Sequence, residues 1–216
     1  MQNKFLIATA FTISAHFIQS CNDSAKTSSA TTEMDSTMNS GTMNDTMSST
    51  RMDMDHSMDG MKMTGDFDYD FAKTMIVHHQ AAIDMAQVEI SKGSNPEMKS
   101  LAENIVKAQK SEIDQFDNIL KDYKMPEMKK DAGEGHNELG EIMEKMETKM
   151  KGMEKTGNAD KDFAMMMIPH HESAVQMGSD QLSHGKNLEL KKMAQKIVED
   201  QSREIRQLQA WLAKNK

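Results

Sequence analysis

One sixteen-residue phrase occurs twice in this chain, 92 residues apart: DFAKTMIVHHQAAIDM at 70–85 and DFAMMMIPHHESAVQM at 162–177. The register holds without a gap from Asp68 to Leu120 and from Asp160 to Leu212, and 23 of those 53 paired positions are identical. Any fold for this chain must accommodate one pattern twice. The copied residues include Met75, His78, His79 and Met85, matched by Met167, His170, His171 and Met177. Thioether and imidazole are soft-to-borderline metal ligands. A fold that duplicates such a cluster has either duplicated a metal site or built one site from two halves.

From Asp66 onward the apolar spacing is helical throughout, and no segment alternates with period two. The pattern predicts an all-α domain over 66–216 with helices over about 67–91, 96–122, 134–155, 160–183 and 187–214. Stop signals fall at Gly93-Ser94-Asn95-Pro96, at Met125-Pro126 with Gly133 and Gly135, at Gly157-Asn158 and at Gly185-Lys186-Asn187. The first two helices form one hairpin (repeat 68–120), and the last two form its copy (repeat 160–212). Two repeated helical hairpins make a four-helix bundle, joined by an extra connecting helix. That connector carries Leu139, Met143, Met146, Met150 and Met153 at spacings of 4, 3, 4 and 3. This is a packing stripe that docks on the bundle or serves a homodimer.

On a helical wheel Phe71, Met75, His78, His79, Ala82, Met85 and Ala86 share the apolar face. Their copies are Phe163, Met167, His170, His171, Ala174, Met177 and Gly178. The partner helix carries Leu101, Ile105, Gln109, Glu112, Phe116 and Ile119, and its copy Met193, Ile197, Gln201, Glu204, Leu208 and Trp211. Two polar residues interrupt both stripes at the same places. Counting residues from the turn near Gly93 puts His78 and His79 level with Gln109 and Glu112. Each hairpin is therefore expected to bury two His, one Gln and one Glu flanked by Met. Buried polar groups need partners, and these could satisfy one another. As a metal site, the layer would use Met75, His78, His79, Met85 and their copies as ligands. Gln109, Glu112, Gln201 and Glu204 would orient the imidazoles. Pro169 stands in the second repeat where Val77 stands in the first, and removes a backbone donor beside His170. His136 and His184 lie at element ends and read as surface residues.

The segment ahead of the bundle has a different character. Of the chain's 24 methionines, nine lie in residues 34–63 among Ser, Thr, Asp, Asn and Gly. Met34, Met38, Met43, Met47 and Met52 fall on no single helical stripe, and so polar a segment buries too little to order itself; 21–65 is expected to be a disordered Met-rich tail. Its densest part holds Met52, Met54, His56, Met58, Met61 and Met63. Thioethers carry no proton to lose and select soft Cu(I), with Ag(I) as its analogue. The tail reads as a loose chelator suited to an oxidising compartment. The first residues resemble an export signal, with Lys4 ahead of an apolar run from Phe5 to Ile18 that is too short to span a bilayer. The run ends at Ile18-Gln19-Ser20-Cys21, like a bacterial lipobox. Residues 1–20 then form a lipoprotein-type signal peptide, and Cys21 carries the lipid. As the sole cysteine, Cys21 leaves no intrachain disulfide and no thiolate zinc cage. A net charge of −8 argues against a nucleic-acid partner.

The doubled phrase M-I-x-H-H-x-x-A-x-x-M, followed by Q-x-x-E-I, resembles the hallmark of the bacterial family known as domain of unknown function 305. Here it stands at Met75–Met85 with Gln109–Ile113, and at Met167–Met177 with Gln201–Ile205. Val77 replaces the usual proline, and Phe116 and Leu208 stand where a methionine often follows. The resemblance covers about 66–216 and implies a ferritin-like fold. For members with Met-rich segments it also implies envelope copper binding and copper tolerance. The leading expectation is a non-enzymatic Cu(I)/Ag(I)-binding lipoprotein of the cell envelope that sequesters copper or passes it to a partner protein. It would touch membrane only through its anchor. A ferritin-like carboxylate oxidase would want Glu-x-x-His on two helices, which this chain lacks. The third alternative, a metal-free adaptor bundle, leaves the Met-rich tail without a role.

Overall fold

The computed structural model describes residues 63–125 and 138–216. Five helices follow one another: α1 Phe67–Lys92, α2 Pro96–Lys121, α3 Glu138–Lys151, α4 Ala159–His184 and α5 Leu188–Lys214. Four of them start on a side-chain cap. Asp66 accepts from the Tyr69 N–H, Asn95 from Glu97 and Met98, Asn158 from Lys161, and Asn187 from Glu189 and Leu190. Each such cap contributes about 1 kcal/mol. Just ahead of α1, Thr64 and Gly65 donate backbone N–H groups to the Asp70 carboxylate. Thr156 does the same to Asp162 ahead of α4. Gly65 and Gly157 both take positive φ, 84° and 79°, which suits glycine.

The architecture is all-α, and no strand occurs among the described residues. α1 packs on α2 and α4 on α5, forming the two expected hairpins of a ferritin-like four-helix bundle; α1 against α4 joins them. Phe71 meets Phe116 edge-on at 5.9 Å inside the first hairpin. α3 lies on α4 and touches α1, with Leu139, Ile142, Met143, Met146 and Met150 buried. This helix is shorter than its sequence pattern suggests. It ends at Lys151 rather than 155, at Gly152, a residue with poor helix propensity. Met153 therefore lies on the connection to α4 and not on the helical stripe. Pro169 sits inside α4, which continues through it.

The turns at Gly93 and Gly185 do stop their helices, but not through a left-handed conformation, since φ is −64° and −61°. The reason is crowding. The side chains of Glu89 and Gln181, at the same position of the two repeats, fold back over these glycines. A Cβ on Gly93 would collide with Glu89 Oε1 and lie 2.6 Å from the Glu89 carbonyl oxygen; on Gly185 it would lie 2.6 Å from the Gln181 carbonyl.

Each turn is also held by the opposite repeat. Asp68, in the first turn of α1, accepts from Lys186 N at 2.9 Å, Asn187 N at 3.0 Å and Gln181 Nε2 at 2.6 Å. Asp160, its counterpart in α4, accepts from Ser94 N at 3.0 Å, Ser94 Oγ at 2.8 Å and Asn95 N at 2.8 Å. Two buried carboxylates thus clasp the two hairpin turns crosswise. α1 and α4 are consequently antiparallel, and the hairpins are related by a local twofold.

Candidate metal centre

All four histidines of the doubled phrase are fully buried. His78 and His170 occupy the same position of the two repeats and stack on each other, ring centroids 3.7 Å apart and tilted by 34°. The local twofold therefore passes between them. His79 and His171 follow on the sides facing α2 and α5, 6.2 and 6.1 Å from their neighbours. Met75, Met85, Met167 and Met177 are buried in the same core. On α1, Met75 lies one turn before His79 and Met85 two turns after His78.

Hydrogen bonds decide which ring nitrogens remain available. His78 Nε2 lies 3.0 Å from the His170 carbonyl oxygen and 2.8 Å from Ser173 Oγ. Ser173 gives its single proton to that same carbonyl at 2.6 Å. A bare Nε2 would face the carbonyl lone pair to lone pair, so Nε2 carries the proton and donates. Burial, then the charges of His79 and His171, hold His78 well below the usual imidazole range; burial, then His78, does the same for His170. His78 is thus neutral, with its lone pair on Nδ1. His79 donates Nε2–H to Glu112 Oε2 at 2.9 Å. Burial alone would raise the Glu112 carboxyl. The hydrogen bond and charge of His79, together with Lys196 at 2.8 Å, outweigh it and keep the carboxyl below its ordinary value.

The second repeat is less satisfied. His171 Nε2 lies 2.7 Å from Glu204 Oε2 but is not aligned for a hydrogen bond, and neither nitrogen of His170 or His171 makes one. One substitution accounts for part of the difference. Ser173 corresponds to Ala81, so His170 meets no hydroxyl where His78 meets one. Nδ1 of His78 and His79 is also unpartnered, as are both amide atoms of Gln109 and of Gln201. At about 1–3 kcal/mol for each buried unsatisfied group, such a layer would offset much of the ~5–15 kcal/mol that keeps a domain folded.

The histidines and Glu112 meet as the sequence predicts, and Glu204 lies beside His171. Gln109 and Gln201 are buried at the expected level, yet neither amide hydrogen-bonds to an imidazole; of the four expected orienting residues, Glu112 alone hydrogen-bonds to one, while Glu204 lies beside His171 without an aligned bond. Three contributors were not foreseen. Met146 of α3 reaches the layer through Ser173, Sδ to Oγ 3.1 Å. Ser173 bridges the repeats, and Lys196 of α5 pairs with Glu112. The Ser173/Ala81 difference was visible in the aligned repeats; the other two are contacts between distant elements. Met63 packs against the core, whereas Cys21, Met52, Met54, His56, Met58, Met61 and His136 lie outside the described residues. His184 is exposed, its ring 5.6 Å from Phe67.

Among the described residues no three His, Cys, Asp or Glu side chains converge as a metal cage. The layer instead offers imidazole lone pairs with thioethers one or two turns away, a donor set that fits a soft cation preferring few, neutral ligands. No helix among these residues is long and apolar enough to cross a membrane.

Comparison with known proteins agrees with this architecture. The family model Domain of unknown function (DUF305) matches residues 15–120 and 68–212. CopM in its Cu(I)-bound form is 31% identical with a TM-score of 0.52, covering 68% of this chain and 96% of that one. CopM has also been solved in Cu(II)-bound and Ag-bound forms, at 32% and 30% identity with TM-scores of 0.53 and 0.51, covering 69% and 68% of this chain and 97% and 96% of those. A putative secreted DUF305 protein from Streptomyces coelicolor, 24% identical with a TM-score of 0.53 and covering 70% of this chain and 95% of that one, shares the fold. No curated protein matches the chain.

Proposed function

We propose that this chain, which belongs to the DUF305 family, is a Cu(I)- and Ag(I)-binding protein of the cell envelope that sequesters copper or hands it to a partner protein. It contributes to copper tolerance, is held at the membrane through lipid on Cys21, and is not an enzyme. The observation that carries the reading is the buried histidine layer, in which ring nitrogens stay unpartnered in a methionine-lined core. Its similarity to CopM, solved with copper and with silver, supports the same ligand class.

Cu(I) would enter as cargo at Nδ1 of His78 and His79, with Met75 and Met85 as thioether donors; the second repeat offers His170, His171, Met167 and Met177. Glu112 holds the far side of His79, which fixes the tautomer and orientation of the ring. The Met-rich tail would add capacity through Met52, Met54, His56, Met58, Met61 and Met63. Anaerobic titration of the reduced mature protein against a Cu(I) chelator tests the proposal. More than one Cu(I) should bind, in preference to Zn(II) and Fe(II). The double variant His78→Ala/His79→Ala should weaken binding by the bundle, and His78→Met, which keeps a soft donor, should retain much of it. Equal Cu(I) binding by the folded double variant and wild type, both with the tail deleted, would remove the histidine layer from the proposal.

A further inference from the structure

A second set of soft donors opens to solvent about one turn along α4 from His170. Met153, on the connection after α3, and Met165 and Met166, on α4, line one crevice together with Asp162, with Glu154 and Lys155 completing its wall. Met166 is buried, while Met153 and Met165 are partly exposed, so the crevice is reached from solvent and the histidine layer is not. The repeat itself does not require sulfur here. The first repeat has Lys73 and Thr74 at the positions of Met165 and Met166, and both repeats build the same helix. The register of α3 does not explain Met153 either, since the helix has ended at Lys151.

The electrostatics favour a cation. Asp162 takes both hydrogen bonds from Thr156, backbone and hydroxyl at 2.7 Å each, on Oδ1. That anchors the carboxylate at the crevice edge. Beside the three neutral thioethers the lining carries the carboxylates of Asp162 and Glu154 against the Lys155 ammonium, a surplus of one negative charge that balances a single positive one, and thioethers discriminate against harder divalent ions. From this we propose that Met153, Met165 and Met166, edged by Asp162, form a second, solvent-accessible seat for Cu(I) or Ag(I), through which metal is first captured. The seat rests on the soft-metal reading of the chain but not on the histidine layer.

The test is silver nitrate added to the full mature chain carrying 13C-methyl methionine, with resonances assigned through single Met→Leu variants. Leucine keeps apolar volume and removes the sulfur lone pairs. The methyl signals of Met153, Met165 and Met166 should shift together with the first silver added. The triple variant Met153→Leu/Met165→Leu/Met166→Leu should keep its helical circular dichroism and lose one equivalent of Ag(I). Shifts confined to other methionines would overturn the crevice site and leave the soft-metal reading standing. No shift at any methionine, with no Ag(I) retained by the chain after desalting, would overturn both.

Discussion

Replacing Glu89 by Gln would copy the second repeat into the first, and it tests the crossed clasps directly. Gln181 gives an amide proton to Asp68. Glu89 faces Asp160 in the same way, and only its protonated form can donate. Burial, then the hydrogen bond to Asp160 and the charge of Asp160, raise its pKa from 4.5 to about 8, with Lys99 opposing. Asp160 is held low because the donors from Asn95, Ser94 and Glu89 outweigh its burial. The unfolded chain releases the Glu89 proton near 4.5, and the folded chain keeps it to about 8. The contribution is thus fully present below the lower value and is lost as pH rises through the upper one. At 1.36 kcal/mol per unit this bounds the effect at roughly 5 kcal/mol. Since the turn ends at exposed Ser94, solvent screening brings the expectation to roughly 2 kcal/mol. Glu89→Gln donates without taking up a proton. Its stability advantage over wild type should therefore grow by roughly 2 kcal/mol between about pH 5 and 9, a Tm gap of about 4–8 °C for a domain of this size. Thermal unfolding followed by far-UV circular dichroism reads it. His78 and His170 titrate alike in both proteins and cancel in the difference. A gap that does not vary with pH would refute the shared-proton clasp.

Deleting residues 22–62 should lower Cu(I) stoichiometry and leave the helical circular dichroism unchanged; the cut spares Thr64 and Gly65, which hold Asp70. Glu112→Gln should weaken Cu(I) binding by the tail-deleted bundle about 10- to 100-fold in chelator competition, because His79 loses its charged partner. Gly93→Ala and Gly185→Ala should each cost about 1–3 kcal/mol in urea unfolding, since the added methyl meets backbone that does not yield. Gly152→Ala, where a Cβ lies 3.6 Å from the Thr148 carbonyl oxygen, should stabilise by about 0.4–1 kcal/mol.

Much of this was legible in the sequence because it is local or periodic. Helix faces follow from spacing, and counting residues from Gly93 brings His79 level with Glu112. The repeat announces two hairpins. What it does not announce is how the hairpins meet, since no periodicity relates α1 to α4. The His78–His170 stack is a contact between copies 92 residues apart, and Lys196 reaching Glu112 spans 84. The end of α3 is hidden for a different reason: the Met spacing continues past Gly152 although the helix does not. Gln109 and Gln201 show the limit of level-counting, which sets height along a bundle but not whether a side chain reaches its neighbour.

The crossed clasps carry a consequence for assembly. Each hairpin holds a turn that lacks its own carboxylate and a carboxylate that lacks its own turn. A half-length chain bearing one repeat would find both complements only in a second copy, so its stable form is a symmetric homodimer. In the full chain the connector through α3 makes that pairing intramolecular. It replaces dependence on protein concentration with a high effective concentration of one half for the other, so the bundle stays assembled however dilute the protein becomes.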